Sequence, residues 1–176
     1  PQQLIFLAAL SLLWTANLYC HLEWLGLMAD GVYPGLRAGL LTLIAMIVIL
    51  GGRVTPGFTR NAMVATGREW RLPRNPGPLA AMAIAPTLAL PPAILAGAPE
   101  ALTAALALFA GIAVLVRLSL WRGGWTMTRP ILWTLHLSYG MAGAGLIAYG
   151  LAGFGIGAEI AALHLLGIGA VGGMTL

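Results

Sequence analysis

The chain has 176 residues, 60% of them hydrophobic and only 8% charged, whereas an ordinary soluble domain carries roughly a quarter charged residues. With a mean hydropathy of +0.91, a soluble globule of this size cannot hide its apolar surface from water, which leaves an integral membrane protein. The net charge of +4 comes from nine arginines lying mostly between apolar runs, which argues against nucleic acid, and a single cysteine, Cys20, excludes an internal disulfide framework or thiolate cluster.

A helix needs about 20 apolar residues to cross roughly 30 Å of hydrocarbon. Six runs approach that length, at about 4–27, 34–51, 79–97, 101–121, 131–151 and 157–176. The predicted fold is therefore all-α, a polytopic transmembrane helical bundle forming one domain over residues 1–176. No cleavable signal pattern follows Pro1. The start at Pro1 and the last run, which stops at Leu176 without a polar tail, read as an excerpt of a longer polypeptide.

Between the second and third runs, about 52–78 is an Arg/Pro-rich loop. Gly51-Gly52 is expected to end the second helix, residues 59–70 to form a short interfacial helix, and Trp70 beside Arg68 and Arg71 to anchor in the headgroups. In the third run, Pro86, Pro91 and Pro92 predict a kink or an interrupted helix lining a cavity.

Charge placement supports the span count. Arg53, Arg60, Arg68, Arg71 and Arg74 follow the second run, and Arg117, Arg122 and Arg129 flank the loop after the fourth. These connections fall on one side, which the positive-inside rule makes cytoplasmic. Glu23, Asp30, Glu100 and Glu159 collect on the other side, with Arg37 as the basic exception.

Three histidines interrupt the runs, and an imidazole without partners at membrane depth is costly. His21 shares a helical face with Trp14, Asn17 and Trp24; it is either an interfacial residue in a tryptophan belt or a ligand oriented by Asn17. His136 shares a face with Trp133, Tyr139, Gly140 and Gly143, and either bonds a neighbouring helix or ligates. His164 lies deepest, on a face with Gly167, Ile168, Val171 and Thr175. By depth, His21 and His164 belong to the outer half and His136 to the inner. Two imidazoles from different helices suit haem iron or copper, and three suit copper or another metal. No CxxC or HExxH spacing fixes the metal. A proton path is the other use, although no carboxylate falls at the centre of any run, which counts against an ion-coupled carrier. The glycines of the last two runs, Gly169 and Gly173 among them, allow tight helix packing or flat room for a planar cofactor beside His136 and His164.

Residues 51–61, Gly-Gly-Arg-Val-Thr-Pro-Gly-Phe-Thr-Arg-Asn, carry more order than a basic loop needs. The segment resembles the signature of the NnrS family, polytopic bacterial inner-membrane proteins that bind haem and copper and are linked to nitric oxide. Three further stretches are similar to family segments: NLYCHLEWLG at 17–26, RPILWTLHLSY at 129–139 and ALHLLGIGAVGGMTL at 162–176. All three histidines fall inside these motifs, in the family's order. The resemblance implies a protein of roughly twelve spans, with this chain as its central fragment and a further candidate ligand beyond Leu176.

The preferred expectation is a haem- and copper-binding membrane protein of nitric oxide metabolism or nitrosative-stress defence. Its partners are nitric oxide or a related small ligand and the lipid bilayer. His21 and His164 are candidate ligands on the outer side, steadied by Asn17, and His136 on the inner side. Arg53, Arg60 or Arg129 are candidates to pair with haem propionates. Reduction, sensing and sequestration of nitric oxide all fit these residues, and no electron donor is identified. The alternatives are a cofactor-free transporter or channel with a proline-broken third span, and a scaffold whose histidines only staple helices.

Overall fold

The computed structural model describes residues 2–175, and every regular element among them is helical. In chain order these are α1 (Gln2–Trp24), α2 (Val32–Ala65), α3 (Gly77–Leu95), α4 (Glu100–Ser119), the single turn α5 (Gly123–Thr126), α6 (Pro130–Gly153) and α7 (Glu159–Thr175). The helices α1, α2, α3, α4 and α6 are long and apolar enough to cross a membrane. The expected sixth crossing is α7, which is shorter at 17 residues, about 26 Å by helical rise. Its middle, Leu165–Gly172, is wound as a π-helix.

Connections alternate between two ends of the bundle. At the arginine end, Arg122 Nε donates to the Arg71 carbonyl at 2.9 Å and the Arg74 amide to the Leu120 carbonyl at 3.1 Å. At the opposite, acidic end, Tyr19 Oη donates to the Leu95 carbonyl at 3.0 Å. There Glu23 Oε2 also accepts from the Val32 amide at 2.6 Å, satisfying one of the free N–H groups that open α2. Most of the α1 surface faces outward, whereas α4 and α6 share the most extensive interface. That seam is built from small residues: a Cβ on Gly111 or Gly150 would stand 2.6 Å from a carbonyl oxygen of the facing helix. Such close approach gives dispersion contact where lipid supplies no hydrophobic drive.

Two expectations about helix breaks are overturned. The prolines of the third run do not interrupt it, since α3 continues through Pro86, Pro91 and Pro92. A proline deletes one intrahelical bond and crowds the preceding turn, but α3 is held between α2 and α4. The broken third span required by the transporter alternative is absent from the described residues. Nor does Gly51-Gly52 end α2, which runs for 34 residues, about 51 Å. It therefore projects well past the hydrocarbon and absorbs the expected interfacial helix as far as Ala65. The stop comes at Gly67, in the left-handed region at φ +75°, where Arg68 N–H bonds the Met63 carbonyl and Gly67 N–H the Val64 carbonyl, both at 2.9 Å.

The glycine pair has another use. Pro56 has no N–H to offer the carbonyl four residues back, so the Gly52 carbonyl is left without its helical partner. Arg117 of α4 takes that place: its Nη2 donates to the Gly52 carbonyl at 2.9 Å. Its Nη1 donates to the Val48 carbonyl at 2.9 Å and to Tyr139 Oη at 3.0 Å, and its Nε to Asn75 Oδ1 at 2.8 Å. Asn75 Nδ2 in turn donates to the Gly52 carbonyl at 2.9 Å. The guanidinium lies over the Trp121 ring, 5.4 Å from its centroid. Arg117, expected to flank a loop, is 1% exposed and binds α2, α4, α6 and the segment before α3 into one knot. Gly52 is the notch that admits it, because a Cβ there would lie 2.5 Å from the guanidinium carbon.

Replacing Arg117 with Met should destabilise the protein by about 2–4 kcal/mol, the cost of buried carbonyls losing charge-assisted bonds. In a Pro56→Ala background, where an N–H returns to the Gly52 carbonyl, the loss should shrink by on the order of 1 kcal/mol. Unfolding measured across this double-mutant cycle checks the coupling. Strictly additive losses would show that Pro56 and Arg117 do not share that carbonyl.

Candidate cofactor site

The three histidines occupy different surroundings. His136, 6% exposed, has both ring nitrogens beside backbone carbonyls: Nδ1 lies 2.9 Å from the Leu132 oxygen and Nε2 3.2 Å from that of Trp121. Trp121 also packs edge-on to the imidazole, 6.3 Å between centroids. A neutral ring donates to one of these carbonyls and its other nitrogen faces the second rather than open space, so this geometry favours the stapling alternative, with His136 beside both α6 and the turn after α4. A cavity of about 640 Å³ opens beside it, lined by Trp133, Leu137, Gly140, Met127 and Gly124. The hydroxyls on its wall, of Ser119 and Thr126, are already bonded to carbonyls of their own turns.

His164 differs. Its Nδ1 lies 2.7 Å from the Ile160 carbonyl, and its Nε2 has no partner among the described residues. The ring is exposed, between Ile160 and Ile168, which are 70% and 72% exposed. Beyond it, the position where a Gly167 side chain would stand has nothing within 4 Å. The π-wound segment begins at the next residue, and such departures from α-geometry gather at functional sites. An Nδ1–H committed to a carbonyl fixes the tautomer and presents Nε2 as a lone pair, the arrangement that metal-bound histidines use.

The base of α7 is firmly set. Glu159 in its first turn pairs with Arg37 Nε at 2.7 Å and accepts from Tyr33 Oη at 2.5 Å, while Arg37 Nη2 donates to Tyr149 Oη. Arg37, the exception to the charge pattern, is the ion-pair partner that holds α2 to α7. His164 stands five residues beyond this anchor, about 8 Å along the axis.

His21 is exposed near the end of α1 and packs edge-on against Trp24 at 5.2 Å. No hydrogen bond joins it to Asn17 among the described residues, so the expected orienting contact is missing; Asn17 instead lines a shallow groove with Cys20 and Leu36. The structure does not bring the histidines together. His21 is on α1, which packs on α2 and α3, whereas His164 is on α7, which packs on α6 and α2. Among the described residues no group of three or more His, Cys, Asp or Glu could hold a metal ion.

The arginines proposed for propionates lie at the other end from His164. Arg53 and Arg60 are exposed on the projecting part of α2. Arg129 stacks on Trp125 at 3.6 Å and donates from Nη1 to the Trp125 carbonyl at 3.2 Å. Arg68 and Arg71 both lie over Trp70, at 4.4 and 5.5 Å, consistent with an interfacial anchor. Sequence reasoning missed Arg117 and the partnership of Arg37 with Glu159. The available signals were an arginine inside the fourth apolar run and one basic residue on an acidic side.

The helices and their charged ends define a multi-pass membrane protein with two exposed imidazoles, His21 and His164, of which His164 has its ring set by a carbonyl. Residues 1–176 match the NnrS protein family, and the chain belongs to it. No curated protein and no solved structure matches the chain.

His136→Ala should lower stability by about 1–3 kcal/mol through a carbonyl left unsatisfied and a cavity beside Trp121, with metal content per folded protein unchanged. Thermal unfolding and metal analysis on the same preparation check this. Loss of metal without loss of stability would make His136 a ligand.

Proposed function

We propose that this protein binds haem through His164 and handles nitric oxide at that haem, as a bacterial inner-membrane protein with its arginine end in the cytoplasm. The observation that carries the reading is the unpartnered Nε2 of an exposed imidazole within an apolar helix. Such a group is costly in lipid unless something ligates or bonds it. Membership of a family associated with haem and copper supplies the cofactor class.

The residues beside His164 suit a haem. Nδ1 is tied to Ile160, Nε2 is free, and Ile168 with the open position at Gly167 gives an apolar surface without a side chain standing on it. His164 would hold the iron of such a group, which would supply the chemistry that takes up a diatomic gas. The protein's part is orientation: the Arg37–Glu159 pair sets the first turn of α7, and the Ile160 carbonyl sets the ring and its basicity. Exposed isoleucines keep water from that face, and nitric oxide, which partitions into hydrocarbon, reaches it through the bilayer. Copper is less well served, since His21 is a lone imidazole and Cu sites need more than one donor. His21 is proposed as one ligand of such a centre.

The test is an absorption spectrum of the purified full-length protein, oxidised, reduced and after addition of nitric oxide. A Soret band that shifts with the gas is expected in the wild type. It should vanish in His164→Ala and persist in His136→Ala and His21→Ala. A colourless wild-type protein, or a band indifferent to His164, would remove the proposal.

A further inference from the structure

The arginine end holds seven arginines beside the buried Arg117 and the acidic residue Glu69, and a cofactor at His164 lies too far along the bundle to use them. One of them borders a groove unlike the rest of that rim. Between the projecting part of α2 and the start of α6 is an open depression of about 520 Å³, lined by Phe58, Ala62, Pro130, Ile131 and Leu132, with Thr128 and Arg129 at its edge. Phe58 is 53% exposed and Ile131 79%, and both lie at the arginine end of the bundle.

Arg129 is held ready at this edge. Its guanidinium is stacked on Trp125, and Nη1 alone is engaged, by the Trp125 carbonyl and by Thr128 Oγ1 at 3.4 Å. Nε and Nη2 have no acceptor among the described residues. Arg129 is also the N-cap residue of the 24-residue α6, and no side chain caps that helix. The positive end of the helix dipole therefore faces the same rim with one backbone N–H, that of Ile131; Pro130 has none, and the Leu132 and Trp133 amides bond the Arg129 carbonyl at 3.0 Å. A planar fork of donors suits a phosphodiester, and an apolar trough beside it suits the upper part of an acyl chain. Cytoplasmic leaflets rich in anionic lipid attract such a site.

We propose that this groove is a binding site for one anionic phospholipid. Its phosphate sits on Arg129 and the α6 N-terminus, and one acyl chain lies along Phe58, Ile131 and Leu132. The site joins the end of α2 to the start of α6 from outside, where Arg117 joins them from within. It does not depend on any cofactor at His164.

The experiment is native mass spectrometry of the full-length protein titrated with dioleoylphosphatidylglycerol or dioleoylphosphatidylcholine, with thermal unfolding alongside. The wild type should retain one phosphatidylglycerol at least tenfold more tightly than phosphatidylcholine and gain several degrees in unfolding temperature. Arg129→Gln should abolish that preference, whereas Arg53→Gln, an exposed arginine away from the groove, should keep it. Phe58→Ser, which leaves every arginine in place, should weaken retention at least threefold and serves as the deciding variant should Arg129→Gln not fold. Glycerol phosphate alone should give no protection. Equal retention of the two lipids, equal losses in the two arginine variants, an unchanged Phe58→Ser, or protection by glycerol phosphate would each overturn the proposal.

Discussion

A carbonyl that its own helix cannot satisfy organises this bundle. Pro56 withholds an N–H from Gly52, and the resulting acceptor lies where lipid offers no donor. Arg117 fills the gap from α4 with Asn75 beside it, and its remaining donors reach Val48 and Tyr139. A buried guanidinium with no carboxylate partner among the described residues is expensive. Here carbonyl dipoles, an amide, a phenol and the face of Trp121 replace its hydration. The same knot explains why residue 52 must be glycine, why a proline is tolerated inside a long helix, and why the 66–76 connection closes back on the bundle.

The polar groups divide by end. At the arginine end they are spent on architecture: Arg117 on carbonyls, His136 between the carbonyls of Leu132 and Trp121, Arg68 and Arg71 on Trp70. At the acidic end a smaller set, Arg37, Glu159, Tyr33 and Tyr149, fixes the first turn of α7. Past that turn the helix departs from α-geometry and exposes an imidazole with one free nitrogen. A glycine-rich segment that departs from α-geometry next to a potential ligand is the pattern expected where a site needs room and orientation more than rigidity.

Composition and hydropathy were enough to read the all-helical membrane fold, because apolar length is a physical requirement of lipid and survives without tertiary information. Helix ends were harder to read. Gly51-Gly52 looks like a stop when only local propensity is considered, yet Gly67 is where the backbone turns left-handed, and only packing against Arg117 shows the use of Gly52. The prolines of α3 misled for the same reason, since neighbouring helices hold what propensity would break. Arg117 was visible as a charge inside an apolar run, but its partners lie 22 to 69 positions away in the chain, beyond the reach of spacing arguments. The histidines could be picked out as costly residues, whereas their separation into one stapled and two exposed rings follows from three-dimensional placement alone.

The most direct test of this division between architecture and chemistry is a cryo-electron microscopy map of the cofactor-loaded protein in lipid nanodiscs. The account predicts iron density at Nε2 of His164 near the acidic end, with the guanidinium of Arg117 closed on the carbonyls of Gly52 and Val48. Iron beside His136, with propionates on Arg53, Arg60 or Arg129, would contradict it.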